Sequence, residues 1–258
     1  MSPATQGVKK LTVLFCSSEV VPFSKTGGLG DVAGALPKAL KRQGHDVRVV
    51  TPLYGFIDRR KYGIRSLGKK VPVGIGHRVF EAALHRGFLP DSRIPVYFIE
   101  HQGYFDRKGI YQEDGADYPD NLDRFAFFSK GSLEMLPVLG WRPRIVHAND
   151  WQTALVPVYL KTLLREIDFY QAIKTLFTIH NLGYQGLFEP ESFPRTGLGS
   201  DLFTFDGLEY YGKGNLLKGA ILFADMLTTV SPHYSREIRT GEYGFGLEGV
   251  LQNRGNDL

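Results

Sequence analysis

The chain reads as an α/β fold with a doubly wound, mostly parallel sheet, and three observations carry that reading. Short runs rich in Val, Ile, Leu, Phe and Thr recur along the 258 residues, helix-length stretches with apolar residues three and four apart separate several of them, and polar clusters follow the carboxyl ends of the runs. Runs without polar alternation are strands covered on both faces, which is how parallel strands sit.

Taken in order, residues 11–16 form the first strand and, after a glycine-rich turn, 32–42 the first helix. Residues 47–51 form the second strand, and 71–73 with 79–86 an edge hairpin. Strands follow at 96–100, 145–148, 176–179 and 226–230, with helices at 122–136, 153–165 and 215–223. Strand then helix, repeated, calls for right-handed crossovers. Residues 185–213, dense in Gly, Pro and aromatic side chains, form irregular structure over one rim. An open parallel sheet binds ligands beyond the carboxyl ends of its strands. Four polar clusters fall there: Ser17 to Glu19 with the glycine turn, His101 to Arg107, Asn149 to Trp151, and His180 with Asn181.

The turn Lys25-Thr26-Gly27-Gly28-Leu29-Gly30-Asp31-Val32 suits a phosphorylated ligand. Adjacent glycines permit a positive-φ turn and a close approach of the backbone, the following helix aims free N–H groups at an anion, and Lys25 adds a charge. Gly28-Leu29-Gly30-Asp31-Val32-Ala33 also fits a dinucleotide fingerprint, but that fingerprint sets its glycines directly after the first strand and a carboxylate at the end of the second. Here Ser17 to Thr26 intervene, and the second strand runs on into Pro52-Leu53-Tyr54. No Gly-Lys-Ser/Thr of a Walker loop follows either. A tight strand-to-helix turn with a solvated lysine is the plainer alternative.

Composition narrows the classes. A 43% hydrophobic content over this length can bury a sizeable core. The single cysteine, Cys16, excludes a disulfide framework and a cysteine zinc site and fits a reducing cytoplasm. Residues 1–10 lack a leader pattern, and no run reaches the ~18 apolar residues of a membrane span, so no membrane partner is expected. The net charge of +4 is mild and its basic pairs are scattered, which describes solvated faces rather than a nucleic-acid surface. The seven histidines show no paired ligand spacing, His147 with Asp150 being the nearest suggestion, so no metal is expected. No G-x-S-x-G elbow marks a serine hydrolase.

Three residues remain open on spacing alone. Asp150 is a rim carboxylate or the N-cap of the helix near Thr153. His180 is a ligand contact or a satisfied structural imidazole, and Glu19 a ligand-binding carboxylate or a loop charge.

The order of six motifs closely resembles the family of bacterial glycogen synthases and plant starch synthases. They are the Lys25–Val32 turn after Cys16-Ser17-Ser18-Glu19, Tyr118-Pro119-Asp120-Asn121-Leu122-Asp123-Arg124-Phe125, His147 with Asp150-Trp151, Thr178-Ile179-His180-Asn181-Leu182-Gly183-Tyr184-Gln185-Gly186, Val230-Ser231-Pro232-His233-Tyr234, and Gly244-Phe245-Gly246-Leu247-Glu248-Gly249. The resemblance spans nearly the whole chain. It implies a GT-B glucosyltransferase of two facing Rossmann-like domains that moves glucose from ADP-glucose to the non-reducing 4-hydroxyl of an α-1,4-glucan with retention. It implies no metal and no cofactor, ADP-glucose being a substrate. Residues 1–258 match the amino-terminal domain, so a carboxyl-terminal nucleotide-binding domain is expected after Leu258, and this chain alone is expected to be inactive.

By motif, the resemblance places Lys25, Gly27 and Gly28 at the diphosphate and glucosyl group, with Asp31 and Glu19 supporting substrate in the same loop. Asp150 and Trp151 come near donor sugar and acceptor, and His180 contacts the donor glucose with Asn181 beside it. Asn149 and Gln112 depart from residues common at their positions in the family, and no role follows for the loop 104–112. Two other classes compete: a non-catalytic glucan-binding or regulatory module of the same fold, and an NAD-dependent oxidoreductase, which the missing carboxylate after the second strand disfavours.

Overall fold

The computed structural model of the chain describes residues 9–258. Residues 1–8, most of the segment read above for a leader, lie outside them. Eight strands build one mixed sheet: β1 (Thr12–Cys16), β2 (Asp46–Pro52), β3 (Arg65–Ile75), β4 (Arg78–Phe88), β5 (Pro95–Glu100), β6 (Ile145–Asn149), β7 (Lys174–Ile179) and β8 (Met226–Thr229). Their order is β8-β7-β6-β1-β2-β5-β4-β3. The six strands from β8 to β5 run parallel, and the expected hairpin, longer than its apolar residues suggested, adds β4 and β3 antiparallel at one edge.

Burial follows pairing. β1, β6 and the end of β2 are covered on both faces, whereas β3 is buried only at Val71 and Val73 and β4 mixes buried with exposed residues, because one of their faces meets solvent. Leu14, Phe15, Val49, Phe98, Val146 and Phe177 lie wholly inside. Helix α1 (Gly28–Arg42) joins β1 to β2, α2 (Asn121–Leu139) lies between β5 and β6, α3 (Leu155–Lys161) between β6 and β7, and α4 (Leu216–Phe223) before β8. Gly140, at φ 62°, ends α2 in the left-handed conformation that glycine adopts without penalty. Asn215 caps α4 by accepting from the Lys218 amide at 2.9 Å.

Two helices also differ from expectation. α1 begins four residues early, at Gly28, so the glycines belong to its first turn. α3 begins after a 3₁₀ turn and stops at Lys161, where Thr162 leaves helical geometry and its hydroxyl donates back to the Val158 carbonyl at 2.7 Å. The segment 185–213, expected to be irregular, has 3₁₀ turns at Pro190–Thr196 and Ser200–Leu202 but also pairs Leu187–Phe188 and Glu209–Tyr210 with Lys213–Asn215 in a small antiparallel sheet. Among the described residues no helix is long and apolar enough to cross a membrane.

The chain moves outward from β1 to β2 and β5, then returns to place β6 on the other side of β1. Strand order reverses there, and such a switch point, beyond the ends of β1 and β6, is where an open α/β sheet places its ligand crevice. Far from that crevice, Asp225 fastens the β8 edge: its carboxylate accepts from Lys161 at 2.7 Å, Lys174 at 3.1 Å, and the Thr175 amide and hydroxyl at 2.8 and 2.9 Å. Burial alone would raise its pKa, but these donors bring it down to about 2. A carboxylate held below its unfolded value stabilises fully above about pH 4, and that contribution fades as pH falls toward 2. Asp225→Asn is therefore expected to be less stable than the parent in urea at pH 7, with the gap closing between pH 4 and 2; a gap that stays constant across that range would assign the loss to shape rather than charge.

Candidate active site

The crevice is built first from the end of β1. Ser17, Ser18 and Glu19 are buried, Glu19 with 3% of its surface exposed, so it is no loop charge. Its carboxylate accepts from the Thr26 amide at 2.5 Å, the Thr26 hydroxyl at 2.7 Å, the Gly27 amide at 3.1 Å and the Tyr111 hydroxyl at 2.7 Å. Tyr111 also meets the Ser18 hydroxyl at 2.7 Å, and Tyr54 donates to the Ser18 carbonyl at 2.9 Å. Glu19 thus sits beneath the glycine segment and gathers it, its oxygens engaged by the protein itself.

The glycines do not form the positive-φ turn their sequence suggests. Gly27 has φ −143° and ψ −165°, extended geometry open to any residue, and neither it nor Gly28 takes positive φ. A Cβ at either would meet nothing within 4 Å. Their bareness leaves open space over the start of α1, whose first turn has no side-chain cap, so a ligand can reach its amides. Lys25 and Asp31, both half-exposed, pair across that turn at 2.7 Å. An exposed pair of this kind is worth ~0–1 kcal/mol, so an incoming anion can draw the lysine away.

Asp150 follows β6 at φ 56° and ψ 179°, a conformation nearly confined to glycine. It does not cap the turn behind it. Instead its amide donates to the Thr178 carbonyl at 3.0 Å, and its Oδ1 accepts from the His180 amide at 2.7 Å. The carboxylate joins the ends of β6 and β7 and is nearly sealed from solvent, at 9% exposure. Burial raises its pKa to about 7, opposed by the His180 and Asn181 amides and assisted by the charge of Glu19. Strain of ~1–3 kcal/mol at such a position persists only where the surroundings overdetermine it, and it gathers at functional sites.

His180 turns its Nε2 toward Asn149 Oδ1 at 3.0 Å, and burial lowers its pKa to about 4, so the ring is neutral near pH 7. Asn181 closes a local turn by accepting from the Gly183 amide at 2.9 Å and stays exposed. Trp151 is a wall of the crevice, packed edge-on to Phe125 and beside Tyr111. His147 is engaged elsewhere: its Nε2 lies 2.6 Å from the Thr178 hydroxyl, and burial lowers its pKa to about 3. Among the described residues no three His, Cys, Asp or Glu side chains gather as a metal group.

The cluster His101 to Arg107 does not join the other three. His101 packs among Phe80, Tyr104 and Phe127 and lines a different cavity with Arg59, Glu100 and Asp106. What reaches the crevice from that loop is Tyr111, which spacing did not single out. The Tyr118–Phe125 motif holds it there. Arg107 grips Asp120 through both carboxylate oxygens, and Arg124, wholly buried, donates to the Tyr104 carbonyl at 2.8 Å and to Asn121 at 2.6 Å. Asn121 in turn donates to the Tyr111 carbonyl at 2.9 Å. The available signal was a helix start so rich in Asp, Asn and Arg placed just after an unassigned loop.

A family model described as the starch synthase catalytic domain matches residues 12–253. A glycogen synthase from Geotalea daltonii is 52% identical over 248 residues, covering 96% of this chain and 51% of its own length. One from Syntrophotalea carbinolica is 48% identical over 244 residues, covering 95% and 50%. Among solved structures, the catalytic domain of starch synthase IV from Arabidopsis thaliana, bound to ADP and acarbose, superposes with a TM-score of 0.88 at 33% identity, over 96% of this chain and 50% of that one. The chain spans about half the length of the curated relatives it matches.

The Asp150 geometry has a consequence for stability. A carboxyl whose folded pKa stands above its unfolded value of ~4 loses ground as pH rises from there to about 7, because only the folded state then resists ionisation. Asn at this position still accepts from the His180 amide and carries no charge. Asp150→Asn is expected to match or exceed the parent in thermal midpoint at pH 8, with the advantage vanishing near pH 4; a variant less stable at pH 8 would show that burial does not dominate there.

Proposed function

Because this chain belongs to the starch synthase catalytic domain family, we propose that it forms one wall of the active site of a retaining glucosyltransferase, moving glucose from ADP-glucose to the non-reducing 4-hydroxyl of an α-1,4-glucan. The second wall, a nucleotide-binding domain, is part of this proposal, as are the absence of a metal or cofactor and a cytoplasmic location. The observation that carries the reading is Asp150, a buried and strained carboxylate on the same crevice as the uncapped, glycine-bare start of α1.

Transfer from a nucleoside diphosphate sugar separates charge: the ring carbon becomes positive as the diphosphate leaves. Gly27, its amide held by Glu19, leaves room for the negative leaving group, and the amides from Gly28 onward, with Lys25 released from Asp31, receive it. Asp150, in surroundings of low dielectric, meets the positive charge, and that charge favours its ionised form. His180 and Asn181 flank the sugar as polar contacts, Trp151 walls the acceptor side, and Glu19 keeps the loop and Tyr111 in register. Attack and departure on one face then depend on positioning more than on a strong base.

In a protein extended to the length of its relatives, Asp150→Asn is expected to lower turnover by ~10²–10³, the size typical of one lost electrostatic group. Activity within about threefold of the parent, far inside that range, would remove Asp150 from the reaction. Lys25→Gln is expected to raise the KM for ADP-glucose with little change in that for glucan, as the loss of a charge-assisted contact worth ~1.5–3 kcal/mol requires. Steady-state kinetics with each substrate varied in turn check it, and unchanged donor constants would leave Lys25 as a surface charge.

A further inference from the structure

Asn149, the last residue of β6, has no exposed surface, and its carboxamide joins three strand ends. Nδ2 donates to the Cys16 carbonyl at the end of β1 at 3.0 Å and lies 3.3 Å from the His147 carbonyl. Oδ1 faces Nε2 of His180, just past β7, at 3.0 Å. Both neighbours of Nδ2 are carbonyl oxygens, which only accept, so turning the amide round would set oxygen against oxygen. The atom facing the imidazole is therefore an acceptor, and the contact is a hydrogen bond only when Nε2 carries the proton.

From this geometry we propose that Asn149 is a positioning residue that locks His180 in its neutral Nε2–H tautomer and leaves Nδ1 as a bare acceptor for a hydroxyl of the bound sugar. The sugar as ligand rests on the function proposed above; the lock does not. No donor among the described residues reaches Nδ1, and the atom is not sealed in the interior. A neutral imidazole has one donor and one acceptor, so fixing the first fixes the second. The charged and titratable groups around the ring are Glu19 from the β1 loop, Asp150, whose carboxylate takes the His180 amide, and His147, itself neutral through burial. Burial outweighs the pull of Glu19 and keeps the ring uncharged near pH 7. A partner that both donates and accepts would leave either nitrogen free to carry the proton; the carboxamide, pinned by two carbonyls, does not.

Ring nitrogen NMR of the ¹⁵N-histidine-labelled chain, with His180 identified by its absence in His180→Gln, reads the lock directly. The expected result is a neutral ring at pH 7 with the proton on Nε2; an Nδ1–H tautomer or a charged ring at pH 7 overturns the proposal without any variant at position 149. Asn149→Leu, which keeps the branched outline and has no polar atoms, is expected to populate both tautomers. Asn149→Asp in its protonated form, which donates to the Cys16 carbonyl through one oxygen and accepts at Nε2 through the other, is expected to keep the parent tautomer. In the protein extended to the length of its relatives, Asn149→Leu is expected to raise the ADP-glucose KM roughly tenfold, the order of one hydrogen bond, with Asn149→Asp restoring most of it where its carboxyl is protonated. An unchanged KM in Asn149→Leu would reduce Asn149 to a structural tie and overturn the positioning role. An extended protein that transfers no glucose would instead overturn the function proposed above, while the ring spectra would still decide the lock.

Discussion

The site depends on one buried carboxylate. Glu19 takes four hydrogen bonds from two segments that approach it separately, the Lys25–Gly28 turn and the loop ending at Tyr111. A buried charge without such partners is costly, so the two segments and the carboxylate hold one another in place. Because Thr26 and Gly27 give their amides to Glu19, the chain enters α1 at Gly28 with no side-chain cap. The carboxylate fastens the turn from below and leaves the helix amides free above.

A second carboxylate is placed by opposite means. Where Glu19 is saturated, Asp150 has one strong backbone partner in the His180 amide, a strained backbone, and a pKa raised by burial. The two acids lie close enough that Glu19 contributes to the shift at Asp150. Environment separates their roles: one fully ligated acid organises the loop, and one under-ligated acid is left responsive to charge appearing in the crevice.

Much of this was legible because the strands are short apolar runs rich in β-branched residues, which length and composition identify, and most of the polar residues after them fall where an open parallel sheet binds ligands. The crevice at β1 and β6 needed only strand order. What escaped was conformation and distance. Gly27 and Gly28 read as positive-φ turn formers, yet they serve by lacking side chains over a helix start. Asp150 read equally well as a helix cap, because a favoured capping residue at a strand-to-helix junction looks the same in sequence whichever way its carboxylate turns. Tyr111 escaped because its partner Glu19 lies ninety-two residues away, and the clasp of Arg107, Asp120, Asn121 and Arg124 that delivers it is tertiary.

The claim that the Glu19 carboxylate organises the site is tested most directly by amide hydrogen exchange at Thr26 and Gly27 in Glu19→Ala and Glu19→Gln. Ala removes every acceptor, so both amides are expected to exchange at least tenfold faster, the order of one lost hydrogen bond, while the β1 and β6 core amides keep their protection. Gln can turn its oxygen to the two amides and its NH₂ to the Thr26 and Tyr111 hydroxyls, which also accept, so it is expected to retain most of the protection. Amides at Thr26 and Gly27 that exchange as slowly in Glu19→Ala as in the parent would contradict the account.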